Sequence, residues 1–312
     1  MSNNNRQDDD NFWKDRIEEA YKLTNEVSST MCVAKWKQVT MHLHNGHTHS
    51  CHHPMTHIVP IEELKRNKTA LHNTEFKKAQ RKMMQEGQRP AECDYCWKVE
   101  DAGNKYSDRI YKSADTSWAM PYITDMGKLP WNADVDPSYV EVSFSSVCNF
   151  KCSYCSPNIS SQWMEEIEKF GPYPTSQKFN NIEWLVNENK MPIPNREENL
   201  YVDAFWAWWP KMYKELKTFR ITGGEPLLSK NTFKVLDYII ENPNPDLNFS
   251  VNTNLCVPDE LMTKFIEKMK VIQAGNMIKS FIRPGILLRT FSVSSNSSEQ
   301  SQPGMIKQHA TS

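Results

Sequence analysis

Three cysteines stand close together near the middle of the 312-residue chain, at Cys148, Cys152 and Cys155. Their C-x3-C-x2-C spacing places three thiols on one short loop, and cysteine thiolates are the ligands that iron–sulfur clusters require. Three thiolates can hold three irons of a [4Fe–4S] cube and leave the fourth iron open to another ligand. The alternative is a structural zinc site, although such sites prefer four protein ligands. The choice between the two depends on the residues around the loop.

Two further motifs accompany the cysteine loop. The alternating segment Tyr139–Phe144 predicts a strand that leads directly into the loop, and the aromatic Tyr154 precedes the last cysteine. Later in the chain, a second predicted strand, Thr218–Thr222, ends in the sequence Gly-Gly-Glu-Pro at residues 223–226. Glycines allow backbone carbonyls to approach a ligand closely, and a carboxylate suits an ammonium group. Alone, the two glycines would indicate an ordinary strand-to-helix turn; beside the cysteine loop they indicate a ligand-binding segment.

Together these motifs resemble the radical SAM superfamily. The resemblance implies a catalytic [4Fe–4S] cluster on Cys148, Cys152 and Cys155 that transfers one electron to S-adenosylmethionine. Reductive cleavage would then give methionine and a 5′-deoxyadenosyl radical, which modifies or oxidises a peptide or small-molecule substrate. An electron donor such as flavodoxin or ferredoxin is expected to supply the electron. The motifs therefore predict a radical SAM enzyme.

The same resemblance extends to residues around the cofactor. The cofactor-binding residues that it implies are Tyr154, Gly223, Gly224, Glu225, Asn252 and Asn254. The aromatic residue is expected near the adenine, and the Gly-Gly-Glu segment is expected to bind the methionine amino group. The two asparagines end the third predicted strand, Asn248–Asn252, and resemble the segment that lines the cofactor pocket in relatives. A simple turn toward Pro258 is an equally good interpretation of that strand end.

Four more cysteines precede this region, at Cys32, Cys51, Cys93 and Cys96. Four thiols are the number that closes every iron of a cube. The pattern C-x13-G-x4-C with a later C-x2-C resembles the twitch module, a shortened SPASM extension that carries an auxiliary cluster. That module usually follows the barrel, whereas these cysteines precede it, as in a group of phage and bacterial twitch-domain radical SAM proteins. The resemblance implies an auxiliary [4Fe–4S] cluster, with a four-cysteine zinc site as the alternative.

Seven histidines lie between His42 and His57. Histidine-rich tracts can bind a transition metal, and His49 or His52 could tune a cluster on Cys51 through hydrogen bonds. We nevertheless expect a solvated loop and strand edge, and none of these histidines is predicted to be a ligand.

Predicted strands alternate with helices after residue 137, which is the pattern of βαβ units around a parallel sheet. Helices are predicted at Leu200–Leu216, Thr232–Glu241 and Pro258–Met269. The predicted fold is α/β, a partial (β/α) TIM-like barrel that forms the radical SAM core, with an N-terminal Cys-rich twitch-like module. Only three or four strands can be counted, so this barrel is expected to be truncated. The expected boundaries are 1–30 for a disordered start and a helix from about Asp10, 31–130 for the module, 137–285 for the barrel and 286–312 for a disordered tail.

The charge is balanced, with 37 basic and 38 acidic residues. This balance disfavours a nucleic-acid partner and a polybasic membrane anchor, and no apolar run is long enough to predict a transmembrane helix. The polar N-terminus lacks the apolar segment of a secretory signal, so the eight cysteines are expected in the reducing cytoplasm. The truncated barrel leaves a second hypothesis, a non-catalytic Fe–S or zinc-binding protein with a structural or interaction role.

Overall fold

Seven strands form one sheet in the computed structural model, which describes residues 4–176 and 179–281. The strands are β1 (Gln38–His42), β2 (His47–His49), β3 (His57–Ile58), β4 (Tyr139–Ser143), β5 (Thr218–Thr222), β6 (Asn244–Val251) and β7 (Ile278–Phe281). Their order across the sheet is β3-β2-β1-β4-β5-β6-β7. Strands β1, β4, β5, β6 and β7 run parallel, whereas β2 is antiparallel to both β1 and β3. The tail expected at 286–312 lies outside the described residues.

Helices occupy most of the connections between the strands. The α-helices of the described residues are α1 (Asn4–Val27), α2 (Ala34–Lys37), α3 (Ile61–Arg66), α4 (Glu75–Gln85), α5 (Asp94–Asp101), α6 (Asp108–Ser113), α7 (Ile123–Lys128), α8 (Ser161–Phe170), α9 (Ile182–Asn187), α10 (Leu200–Glu215), α11 (Lys230–Glu241) and α12 (Asp259–Ala274). Short 3-10 helices cover Lys68–Leu71, Ala91–Cys93, Met120–Tyr122 and Pro226–Leu228. Helix α1 begins earlier than predicted because the polar residues before Phe12 contain no glycine or proline to stop it. None of the helices in the described ranges combines the length and apolar character needed to cross a lipid bilayer.

One face of the sheet forms the main hydrophobic core, because apolar side chains alternate along each strand. Val142 of β4 and Ile221 of β5 are fully buried among apolar residues of α10, α11 and α12. Trp209 of α10 packs on this face, with its ring 4.9 Å from that of Phe219. Burying a side chain of this size contributes about 1.5–3 kcal/mol. This layer of helices fixes the strand ends at which the candidate site lies.

Strand β1 lies in the middle of the sheet, beside β4. Val39 is in register with Val140, and Met41 with Val142. The segment predicted as a module at 31–130 therefore contributes β1, β2 and β3 to the same sheet as the core. The α/β class is confirmed, and four strands follow residue 137. The barrel curvature and the twitch module stay predictions.

The turn between β1 and β2 requires a glycine. Gly46 has a φ of 75°, in the left-handed region that side chains disfavour. A Cβ atom at this position would lie 2.2 Å from the ring of Tyr201 in α10. The glycine of the C-x13-G-x4-C pattern thus lets α10 pack directly on the hairpin.

A second apolar cluster surrounds the upstream cysteines. Cys32 and Cys96 are buried in it together with Trp36 of α2, Met84 of α4 and Trp97 of α5. These short helices pack on one another and bring cysteines from separate parts of the chain to one place.

Candidate functional site

The cysteine loop begins after the carboxyl end of β4 and is held by hydrogen bonds. The amide of Cys155 donates to the carbonyl oxygen of Cys152 at 3.0 Å, and the amide of Phe150 donates to the Cys148 sulfur at 3.4 Å. The indole of Trp163 in α8 donates to the Cys152 carbonyl oxygen at 2.9 Å. All three thiols are half-buried, and burial, together with the neighbouring thiols Cys148 and Cys152, raises the pKa of Cys155. The three thiols therefore lie within electrostatic reach of one another.

The Gly-Gly-Glu segment packs directly against the start of this loop. The amide of Gly224 donates to the carbonyl oxygen of Ser145 at 3.1 Å, and the amide of Glu225 donates to that of Val147 at 2.7 Å. A Cβ atom on Gly224 would lie 2.2 Å from the Val147 carbonyl oxygen, so only glycine permits this approach. Gly223 has a φ of 117°, which also favours glycine. The backbone that follows β5 is thus hydrogen-bonded to the segment that leads into the cysteines.

The carboxylate of Glu225 ties the ends of β5 and β6 together. It is buried and accepts hydrogen bonds from the Thr253 hydroxyl (2.6 Å), the Asn254 amide (2.7 Å) and the Leu227 amide (2.9 Å). Burial raises the pKa of Glu225, and these three donors oppose that effect. Among the described residues, no donor reaches the carbonyl oxygens of the two preceding glycines. Those oxygens are therefore the acceptors that the segment can offer to an ammonium group.

A third loop, after β6, completes the contact. The Asn254 side chain donates to the Asn149 side-chain oxygen at 2.9 Å, and Asn149 donates to the carbonyl oxygen of Cys256. The amide of Asn252 donates to the Ile221 carbonyl oxygen at 2.9 Å, which extends the pairing of β6 with β5. Asn149 was missed in the sequence analysis, and its place inside the C-x3-C motif is the signal that marks it. The carboxyl ends of β4, β5 and β6 therefore meet at one site.

Tyr154 lies at the outer rim of this site. Its side chain is 74% exposed, although it is next to the last cysteine of the loop. A hydrogen bond with Cys152 is the largest effect that raises the pKa of Tyr154. An aromatic ring in this position is free to cover a ligand that binds on the loop.

The four upstream cysteines line one small cavity. Cys32 precedes α2, Cys51 follows β2, and Cys93 and Cys96 flank the start of α5. Burial raises the pKa of Cys32 to about 12, with further contributions from the other three thiols, and raises that of Cys93 to about 11. Thiols held in this way give up their protons when a metal cation binds them.

Buried charged residues surround the cavity, and the sequence analysis assigned them no role. Lys35 lines the cavity and pairs with Glu92. Arg109 also lines it, pairs with Glu100 at 2.6 Å and donates to the carbonyl oxygen of Met31 at 3.0 Å. The spacing of these residues along the chain does not predict the two ion pairs, because the burial of each residue depends on neighbouring helices.

The histidine-rich segment is not the solvated loop that we expected. His44 and His47 are buried in the β1–β2 hairpin, because this hairpin is an inner part of the sheet rather than its edge. His44 lies 2.9 Å from the Ser143 hydroxyl at the end of β4. His42 lies 3.2 Å from His49, and burial lowers the pKa of both His44 and His49 to about 4. Burial therefore favours the neutral form of both imidazoles.

Three other side chains form a group at the rim of the upstream cavity. Nitrogens of His52 and His53 and a carboxylate oxygen of Asp108 lie within 4.8 Å of one another. His53 makes the closer contact with Asp108, at 2.7 Å, and its ring stacks on Tyr95. The nearby ammonium of Lys112, 3.3 Å from His52, makes this rim less favourable for a metal cation.

Comparisons with known proteins give partial matches to one kind of enzyme. The chain is 28% identical over 116 residues to a GTP 3′,8-cyclase of Nautilia profundicola, which covers 37% of this chain and 27% of the relative. It is 30% identical over 135 residues to that of Aliarcobacter butzleri (42% and 30%) and 29% identical over 107 residues to that of Pasteurella multocida (34% and 23%). The matched segments thus span less than a third of the length of these curated relatives. No protein-family model and no solved structure matches the chain.

GTP 3′,8-cyclases are radical SAM enzymes. The similarities therefore support the radical SAM superfamily and, at that level, a radical SAM enzyme. The twitch subtype stays a prediction.

Proposed function

We propose that this protein uses Cys148, Cys152 and Cys155 to hold a [4Fe–4S] cluster and cleaves S-adenosylmethionine reductively. When bound, the cluster supplies one electron to the sulfonium, and cleavage of the S–C5′ bond gives methionine and a 5′-deoxyadenosyl radical. The radical would then modify or oxidise a substrate held at the same strand ends.

The observation that carries this proposal is the contact of the Gly-Gly-Glu segment with the cysteine loop. The Val147 and Ser145 carbonyl oxygens hold the amides of Glu225 and Gly224, so the two segments form one surface. The carbonyl oxygens of Gly223 and Gly224 would bind the methionine ammonium, while Tyr154 would cover the adenine. Asn254, fixed by Asn149, would line the pocket from the third loop. The residues present therefore fit the cluster and its co-substrate.

We further propose that Cys32, Cys51, Cys93 and Cys96 hold an auxiliary [4Fe–4S] cluster. Tetrahedral zinc, with bonds of about 2.3 Å to sulfur, brings its thiolates to about 3.8 Å from one another. In every set of three cysteines within the described residues, at least one pair of sulfurs is more than 4.8 Å apart. No three of these sulfurs therefore already have the spacing of a zinc site, and a cube, which holds each thiolate on a separate iron, does not require it.

The substrate is proposed to be a peptide or a small molecule, with a flavodoxin or ferredoxin as the electron donor. The polar face of the sheet supports a substrate site next to the cofactor: Arg220 of β5 pairs with Glu141 of β4 at 3.3 Å, and both are half-buried. All eight cysteines are free thiols, as the reducing cytoplasm would keep them.

Anaerobic reconstitution with iron and sulfide tests both sites. We expect about eight irons per chain, and 5′-deoxyadenosine after addition of dithionite and S-adenosylmethionine. Cys152→Ala should lose about four irons and all 5′-deoxyadenosine formation, and Cys96→Ala should lose about four irons. Cys256→Ala is the matched control, because Cys256 is exposed and belongs to neither set.

Two outcomes would contradict the proposal. A Cys152→Ala variant that still forms 5′-deoxyadenosine would exclude the assigned catalytic loop. Bound metal without any 5′-deoxyadenosine in the parent protein would instead support the non-catalytic alternative.

A further inference from the structure

Two cations in helix α4 are buried without a carboxylate partner. Lys77 is 1% exposed and Arg81 is fully buried. The Lys77 ammonium lies 2.8 Å from His72 Nδ1, and the Arg81 guanidinium donates to the Asn73 side-chain oxygen at 2.9 Å. In the part of the chain that the structure describes, no carboxylate oxygen lies within 4.0 Å of either cation. The hydrogen-bond partners named here are thus uncharged, and the carboxylates of Glu92 and Asp134 act on Lys77 and Arg81 only from a longer distance.

Three other buried cations nearby, Lys35, Lys78 and Arg109, have carboxylate partners, whereas Lys37 donates to the backbone carbonyl oxygen of Asp136. Lys35 pairs with Glu92, and Arg109 pairs with Glu100 at 2.6 Å. The charges of these ion pairs cancel, so Lys77, Arg81 and Lys37 are buried cations that no carboxylate of the described residues contacts directly, and Glu92 and Asp134 act on Lys77 and Arg81 from a longer distance. An uncompensated buried charge is strongly destabilising, and a folded protein is expected to supply counter-charge nearby.

The excess charge lies beside the four-cysteine cavity. Arg81 donates to the backbone carbonyl oxygen of Lys35 at 3.2 Å, and the Lys35 side chain lines the cavity with all four cysteines. Burial, followed by the nearby cations Arg81 and Lys35, holds the pKa of Lys77 well below its usual value, and the Glu92 carboxylate and then the Cys51 thiolate act in the opposite direction. Negative charge in the cavity would therefore favour a protonated Lys77.

We propose that Lys77 and Arg81 balance the charge of a metal centre on the four upstream thiolates. Four thiolates carry four negative charges, and a [4Fe–4S] core with two positive charges leaves a centre with a net charge of about −2. The buried cations of α4 have the sign opposite to that charge. This inference rests on the proposed auxiliary centre and adds that α4 supplies its counter-ions.

A cobalt(II) titration of the full chain tests the inference. Cys148, Cys152 and Cys155 are replaced by alanine, so that only the upstream thiols give thiolate-to-cobalt absorption. Lys77→Met and Lys77→Gln both remove the charge, and the glutamine retains a hydrogen-bond donor for His72. Lys82→Met is the matched control, because Lys82 lies on the same helix and is 48% exposed.

We expect at least tenfold weaker cobalt binding in both Lys77 variants and unchanged binding in Lys82→Met. The metal-free Lys77→Met protein should also unfold at a higher temperature than its metal-free parent, because a buried amine whose charged form has no direct carboxylate partner within the described ranges is gone. If Lys77 had only a structural role, the Lys77→Met substitution would lower that unfolding temperature.

Three results would overturn the inference. Cobalt affinity within threefold of the parent in both Lys77 variants would refute charge balance while leaving the centre intact. A metal-free Lys77→Met protein that is less stable than its parent would refute the claim that Lys77 destabilises the metal-free fold. A parent that binds no cobalt, or whose binding survives Cys96→Ala, would refute the auxiliary centre itself.

Discussion

Replacement of Gly224 by alanine tests the contact between the Gly-Gly-Glu segment and the cysteine loop. The added Cβ would lie 2.2 Å from the carbonyl oxygen of Val147, 2.7 Å from its carbonyl carbon and 2.8 Å from that of Ser146. All three are backbone atoms, which cannot rotate away as a side chain would. Gly224 does not have a positive φ, so alanine adds a methyl group without backbone strain.

The expected magnitude follows from this overlap. Inserting a methyl group into a packed position costs about 1–3 kcal/mol. Because the atoms displaced belong to the segment that leads into Cys148, this cost should appear as weaker binding of S-adenosylmethionine. Every 1.4 kcal/mol is tenfold, so we expect affinity to fall by about 5- to 150-fold.

Equilibrium binding of S-adenosylmethionine to the reconstituted protein measures this effect. Gly275→Ala is the matched control: its Cβ would also make a close contact, at 2.7 Å, but with the flexible end of the Met277 side chain. The control should bind as the parent does. Affinity of Gly224→Ala within twofold of the parent, with the same iron content, would refute the argument that this close approach supports the site.

Two further predictions concern a buried carboxyl group and a strained turn. Burial raises the pKa of Glu225 from its usual 4.5. The protonated carboxyl group therefore stabilises the fold below the usual pKa, and this stabilisation is lost as the pH rises through the raised pKa. The melting temperature of Glu225→Gln minus that of the parent should therefore rise between about pH 4 and 7. Melting temperatures of the two proteins that change in parallel with pH would contradict this. Gly46→Ala should lower the free energy of unfolding in urea by about 2–4 kcal/mol, because its φ is 75° and Tyr201 blocks the Cβ. Tyr201→Leu should make that substitution less costly, and an additive double variant would show that the ring is not the obstacle.

Local sequence was sufficient for the elements around the cysteine loop. Strand β5 covers Thr218–Thr222 as predicted, and β4, α10 and α11 agree with prediction to within a few residues at each end. Cys148 and Cys155 are seven positions apart, so an extended chain could separate them by up to about 24 Å, and the predicted loop is what brings their thiols together. Alternating apolar residues and glycines at strand ends are signals that depend only on near neighbours.

Long-range packing determined what the local pattern could not predict. No local pattern indicated that β1 lies beside β4, and without that contact His44 was wrongly expected in solvent. Lys77 and Arg81 resemble the solvated face of a polar helix, and only the covering of α4 by other segments makes them buried. Glu225 likewise receives its donors from the end of another strand. Spacing along the chain identifies residues that can bind a metal or cofactor, whereas burial and counter-charge arise from contacts between distant segments and require the folded structure.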